Sequence, residues 1–258
     1  PANNLDERLI ERCEDIPADP EPGNYVVIDV LHFSNTVIEL LANGAAHVHI
    51  TEERGNEFAY KRDNPTARIG GGRTPAFRPT EGYDFFNSPS YVQGIDLDGK
   101  PASLWSSNGG RALVTLRSCD RSDIDVYVGS TMNARALGTH LRAADRPTHL
   151  VAAGSKGDVA IEDLVGATLI SRYLDGVTPA RTELELFRRQ VKIAKGHDYI
   201  EEHPIRRRDV CEYALDFNGR RVVPKLAGDS VTDLAPSLED VPAPASDSSP
   251  GFRNGSRS

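Results

Sequence analysis

The 258-residue chain holds three cysteines, one methionine and one tryptophan. Cys13, Cys119 and Cys211 are scattered, with no CxxC pair and no Cys/His cluster at zinc spacing. That excludes a disulfide framework and a structural zinc site. No apolar run approaches the roughly 18–20 residues a membrane helix needs. The first residues, "PANNLDERLIERCEDIP", lack the basic-then-apolar order of a signal peptide. Unpaired thiols and no export signal together predict a cytoplasmic protein. Neither a G-x-S-x-G elbow nor a GxxxxGK[ST] loop is present, and "GGGR" at 70–73 has neither the lysine nor the spacing of a phosphate-binding loop. His47 and His49 alternate along a strand pattern with no third ligand, so no metal is assigned to them.

Positive charge is also short. The net charge is −8 and the isoelectric point about 5.4. Nucleic acid and anionic membranes reward clustered Lys and Arg, so neither is an expected partner. Arginine far outnumbers lysine and aspartate outnumbers glutamate, the balance of a salt-adapted, halophilic surface.

What is present is alternation. "YVVIDVL" (25–31) reads as a buried strand and "SNTVIELLANG" (34–44) as a helix. "AHVHI" (46–50) and "EERGNEFAYKR" (52–62) repeat the pair. The order returns with "SLWSS" into "GGRALVTLR", "DIDVYVGS" into "TMNARALGTHLRAA", and "THLVAAGS" into "IEDLVGATLISRYL" (161–174). A charged helix, 181–196, follows, and "DVCEYALDF" and "RRVVPKL" close the globular part. Residues 63–102, rich in Gly and Pro, read as a long loop kept ordered by its aromatics. The tail from 234, rich in Pro, Ser and Asp, reads as disordered, which leaves one expected domain over 1–233. Alternating strands and helices imply an α/β fold, its mostly parallel sheet covered on both faces. Right-handed crossovers then put the strand-to-helix turns on one edge, where such sheets bind ligands.

Four turns are expected there: "DVLHFSNT" (29–36), "SSNGGR" (106–111), "GSTMN" (129–133) and "AAGSKGD" (152–158). Each mixes small residues with hydroxyls or amides, as Ser34 does in the first, and each opens a helix whose free N–H groups favour an anion. Arg73 and Arg111 add forks that grip phosphate or carboxylate. Asp29, Asp84, Glu162 and Asp163 are hard oxygen ligands of the kind that suits Mg²⁺ beside a substrate phosphate. An acid in the first turn of a helix is also an ordinary dipole partner. Asp29 stands in an apolar strand, where a buried carboxylate needs a partner. His32 has two open readings, a general acid or base and a hydrogen-bonded turn residue.

These motifs in this order, "VVIDVLHFSNTVIELLANGA", "GYDFFNSP", "SSNGGRAL", "GSTMNARAL" and "AIEDLVGATLI", with "DVCEYALDF" and "RVVPKL" behind them, resemble the 2-phosphosulfolactate phosphatases, the ComB-type enzymes of coenzyme M biosynthesis. The resemblance spans about 25–226. It implies a three-layer α/β/α fold and a Mg²⁺-dependent phosphatase whose substrate is a three-carbon compound carrying phosphate, carboxylate and sulfonate. It places functional motifs on Asp29, Asn87, Ser88, Ser107, Asn108, Gly109, Arg111, Ser130, Asn133, Gly154, Glu162 and Asp163. The family pattern has arginine at His32, threonine at Asn35, Gly-Glu-Arg at Gly71-Gly72-Arg73 and often a cysteine at Ala152. The last departure removes any thiol nucleophile there.

The expected function is therefore Mg²⁺-assisted hydrolysis of a small phosphorylated acid. Arg111 and Arg73 hold its anionic groups, and Asp29 or Glu162 binds Mg²⁺ or orients water. A protein that binds or senses such an anion without turnover is a second reading, motivated by His32, Asn35 and Gly72. A lyase acting on the same substrates is a third. A homodimer is the default assembly for such an enzyme.

Overall fold

The computed structural model describes residues 5–119 and 121–234; residues 235–258 of the expected tail lie outside them. A short helix α1 (Leu5–Arg8) runs into strand β1 (Leu9–Ile10). Strand β2 (Gly23–Ile28), helix α2 (Phe33–Ala42), strand β3 (Val48–Ile50) and helix α3 (Asn56–Asp63) follow. The segment expected to be a loop instead contains β4 (Arg68–Gly71), β5 (Phe85–Phe86) and α4 (Pro89–Val92). Then come β6 (Ala102–Leu104), α5 (Gly109–Arg117), β7 (Ile124–Gly129), α6 (Ala134–Ala144), β8 (Thr148–Ala152), α7 (Ile161–Leu174) and α8 (Arg181–Ile193). A short helix α9 (Pro204–Arg208) passes into a π-helical turn (Asp209–Ala214), and a hairpin of β9 (Pro224–Ala227) and β10 (Ser230–Asp233) closes the order.

All ten strands form one sheet, in the order β1-β8-β2-β7-β9-β10-β3-β6-β4-β5. β1, β8, β2 and β7 are mutually parallel, as are β3, β6, β4 and β5. The hairpin lies between these two blocks and is antiparallel to both neighbours. Three successive reversals thus set the second block against the first, so the sheet is mixed and its turns do not share one simple edge. The turn after β6 still reaches the turn after β2: Gly109 N–H donates to the Asp29 carboxylate at 3.0 Å.

The strand pattern explains the layering. In β2 every residue is buried, but Tyr25 and Val27 join one core and Val26 and Ile28 the other. Period-2 alternation thus feeds both faces of the sheet. Val37, Ile38 and Leu40 of α2 and Leu113 of α5 cover the first face. Leu137 of α6, Leu169 and Ile170 of α7 and Val191 of α8 cover the second. The fold is a three-layer α/β/α sandwich. No helix among the described residues is long and apolar enough to cross a membrane.

Helices α6 and α7 pack closely at Gly138. A Cβ there would lie 2.7 Å from Tyr173 Cβ and 3.0 Å from the Ile170 carbonyl oxygen. Backbone cannot give way as a flexible side chain can. Gly138→Ala is therefore expected to cost about 1–3 kcal/mol in urea denaturation, despite the better helix propensity of alanine.

Candidate active site

Three strand-to-helix turns, those after β2, β6 and β8, are tied together by two buried carboxylates. Asp29 follows β2; its Oδ2 accepts the Gly109 N–H, and its Oδ1 accepts the Phe33 N–H at 3.4 Å. Its own N–H donates to Ser34 Oγ at 2.9 Å, and Ser34 N–H returns to the Asp29 carbonyl at 2.8 Å. Asp163, in the first turn of α7, accepts from Val30 N–H at 2.8 Å and Gly154 N–H at 3.1 Å. It thereby joins the ends of β2 and β8. Gly109 is obligatory, because a Cβ would collide with Phe33 and Asp29. Gly154 has φ +72°, and a Cβ there would meet the Asp158 carbonyl.

These bonds revise the expected anion cradle. The N–H groups of Phe33, Gly109, Val30 and Gly154 are already spent on protein carboxylates. Ser34 locks its own turn. Ser130 hydrogen-bonds Asn35 Oδ1, and Asn133 caps the turn after β7 by accepting from Ser130 N–H at 2.9 Å and donating to the Val222 carbonyl at 3.1 Å. Ser88 caps α4 and donates to Asp209 at 2.8 Å. Arg111, expected to hold the anion, is half-exposed and ion-paired with Glu14. Asp84 pairs with Lys61 at 2.6 Å and takes no part in the carboxylate group. Ser107 and Asn108 make no capping bond at the start of α5, and Asn87 is half-buried.

What the turns do gather is negative charge. Asp29, Glu162 and Asp163 are all buried, at 4%, 1% and 1% relative exposure. Burial pushes Asp29 up to about 6 from an ordinary 3.8, and the neighbouring Glu162 charge adds to the rise against the pull of Lys195. Asp163 is raised well above its usual range by burial and then by the charges of Asp29 and Glu162. One ammonium answers all three. Lys195 Nζ lies 2.5 Å from Glu162 Oε1. Burial works to discharge Lys195, but the Glu162 carboxylate outweighs it and the lysine is held more firmly protonated.

His32 sits beside this group. Burial lowers its basicity, so the ring is neutral near pH 7. Its Nε2 lies 2.7 Å from the Tyr199 hydroxyl. Burial pushes Tyr199 up to about 12, so it stays a phenol and donates. That assigns the imidazole proton to Nδ1, which lies 3.7 Å from Asp209 Oδ2 with no hydrogen-bond partner. Asp209 in turn accepts from Ser88 Oγ and from Ser90 N–H at 3.0 Å. Two more buried polar atoms in these segments are unpartnered, Asn35 Nδ2 and Asn87 Oδ1. Each is a group left for a ligand or a water.

Mg²⁺ was an expectation of the sequence. Its donor chemistry fits here, since three buried carboxylates with one lysine leave negative charge uncompensated. Among the described residues no three His, Cys, Asp or Glu side chains are gathered as a ready metal cage. Mg²⁺ commonly takes only one or two carboxylates and leaves its other positions to water and substrate phosphate. Glu162, which accepts no backbone N–H among the described residues, suits that arrangement best, and Asp29 can join it only through the lone pairs left over from its bonds to Phe33 and Gly109.

Lys195, Tyr199 and Asp209 were not singled out from the sequence. A lysine just past a charged helix looks like an ordinary dipole partner. "KGHDYIEEH" has no periodicity to mark it.

A family model described as 2-phosphosulpholactate phosphatase matches residues 10–198. A relative from Symbiobacterium thermophilum, named "Probable 2-phosphosulfolactate phosphatase", is 33% identical over 183 residues, covering 67% of this chain and 76% of its own. Relatives of the same name from Deinococcus radiodurans and Caldanaerobacter subterraneus are each 29% identical; the alignments span 66% and 65% of their lengths.

The raised Asp29 has a sign-definite consequence. The folded state binds this proton more tightly than the unfolded chain, so stability tied to the neutral carboxyl is lost as pH rises through about 6. The burden above that pH is on the order of 3 kcal/mol. Asp29→Asn carries no such charge. Its unfolding free energy relative to the wild type is expected to improve by about 1 kcal/mol between pH 5 and pH 7.5 in urea titrations. A difference that does not change with pH would count against this assignment.

Proposed function

The chain belongs to the 2-phosphosulpholactate phosphatase family, and from that membership together with the site we propose that it hydrolyses 2-phosphosulfolactate to sulfolactate and phosphate. The observation that carries the reading is the ion pair of Lys195 with Glu162 inside the carboxylate group at the joined turns. A phosphate monoester brings two negative charges that need compensation in the transition state. Lys195 supplies a fixed cation for a phosphoryl oxygen, and its partner Glu162 aims it. Asp29 and Glu162 are the residues that would hold Mg²⁺. When bound, the ion would neutralise charge on the phosphoryl group.

The remaining residues keep the geometry. Asp29 and Asp163 fix the turns, so the acidic groups do not move apart as charge develops. Tyr199 holds the neutral His32 ring at Nε2, and the Asp209 carboxylate lies 3.7 Å from its Nδ1. In the overall step, water adds to phosphorus, the bond from phosphorus to the ester oxygen breaks, and the alcohol leaves with a proton.

Phosphate release from 2-phosphosulfolactate by the purified chain, with and without Mg²⁺, tests the reading. Release is expected with Mg²⁺, and Lys195→Gln is expected to lower kcat/KM by about 100-fold. Thermal stabilisation by the compound with no release under any salt or acidic pH would replace hydrolysis by the binding reading. No stabilisation and no release would overturn both.

A further inference from the structure

We propose that Arg206, working with Arg73 beside the ring of Phe77, is a specificity-determining residue that binds the substrate's second anionic group, its carboxylate or sulfonate. The proposal deepens the phosphatase reading and rests on it for the identity of the substrate.

The two arginines come from distant parts of the chain. Arg73 and Pro79 form an isolated antiparallel bridge, which folds 73–79 into a tight loop. Phe77, at its tip, has φ +54°. That left-handed backbone is uncommon for an aromatic residue. It places the ring flat on His203, with centroids 3.9 Å apart and planes at 5°. The guanidinium of Arg73 lies 4.0 Å from the Phe77 centroid, and that of Arg206 lies 5.3 Å from it. Arg206 also lies 4.3 Å from the centroid of Tyr199, whose hydroxyl holds His32. A continuous chain of contacts thus runs from Arg73 through Phe77, Arg206 and Tyr199 to His32, whose ring feels the charges of Lys195 and Glu162. The charge of Arg206 is felt at both His32 and Tyr199, and that of Arg73 at Tyr199.

Two like charges near one ring repel, and cation–π attraction of about 0.5–1 kcal/mol at exposed sites offsets this weakly. An anion between them would offset it better. Arg206 has one carboxylate partner, Glu202, which is half-exposed. Arg73 is exposed and enters no ion pair among the described residues. Planar guanidinium forks suit the oxygens of a carboxylate or sulfonate, whereas the phosphoryl group has Lys195. Tyr199 and Arg206 lie beyond the stretch 10–198 that the family model matches, so the matched motifs do not assign them this role.

Titration calorimetry on the full chain with Mg²⁺ tests this with two probes. One is the phosphonate analogue of 2-phosphosulfolactate, whose P–C bond resists hydrolysis. The other is methylphosphonate, which lacks the second and third anions. Arg206→Gln and Arg73→Gln are each expected to lower the preference for the first over the second at least tenfold. Glu202→Gln frees Arg206 and is expected to raise that preference about threefold, an effect in the opposite direction to lost folding. A preference within twofold of the wild type in Arg206→Gln, or a fall in Glu202→Gln, overturns the proposal. If the wild type releases no phosphate from 2-phosphosulfolactate but Arg206→Gln abolishes the preference, hydrolysis fails and the clamp stands. If the wild type releases phosphate but the preference is indifferent to Arg206, hydrolysis stands and the clamp fails.

Discussion

A carboxylate taken out of water must find donors, and in this fold two such carboxylates find them in the main chain. Asp163 accepts the N–H groups that follow β2 and β8, and Asp29 accepts those that open α2 and α5. Each bond satisfies a donor that a loop or helix start leaves unpaired, and each favours the ionised acid against the burial that works to neutralise it. The turns are held at fixed separation because the acids would otherwise be buried without partners. The acids are therefore structural ties and the source of the site's charge at once.

The rest of the electrostatics follows from that double use. Three acids in one buried place repel, and a single lysine does not balance them. The site is left with uncompensated negative charge on one side. On the other, Arg73 and Arg206 gather around Phe77 and Tyr199, the place proposed for a second anion. The proposed substrate, one phosphate with further anionic groups, offers charge to both sides.

Much of the frame was legible in the sequence. The stretches "GGRALVTLR" and "IEDLVGATLISRYL" coincide with α5 and α7 residue for residue; the acidic first turn of α7 is a helix-start signal of its own. Asp29 and Glu162 stood out as acids beside apolar runs. The C-terminal hairpin did not show its place, since a strand inserted between two parallel blocks is decided by distant pairing. The strands inside 63–102 are two to four residues long, too short for a period to register. Ser34, Asn133 and Gly154 bond within the turns, but composition does not say whether a polar group faces a ligand or its own backbone. Arg111 carried the right charge in the right motif, yet Glu14, nearly a hundred residues earlier, takes it. Lys195 and Tyr199 enter the site only because the segment after α8 folds back over it, and no local pattern encodes that return.

The central claim is that the phosphoryl group sits at the knot of Asp29, Glu162 and Lys195. A crystal structure with Mg²⁺ and the phosphonate analogue of 2-phosphosulfolactate tests it most directly. The account predicts a phosphonate oxygen within hydrogen-bond distance of Lys195 Nζ, with the metal on Glu162 or Asp29. A phosphonate seated instead on Arg111 at the rim, with Lys195 still facing only Glu162, would contradict it.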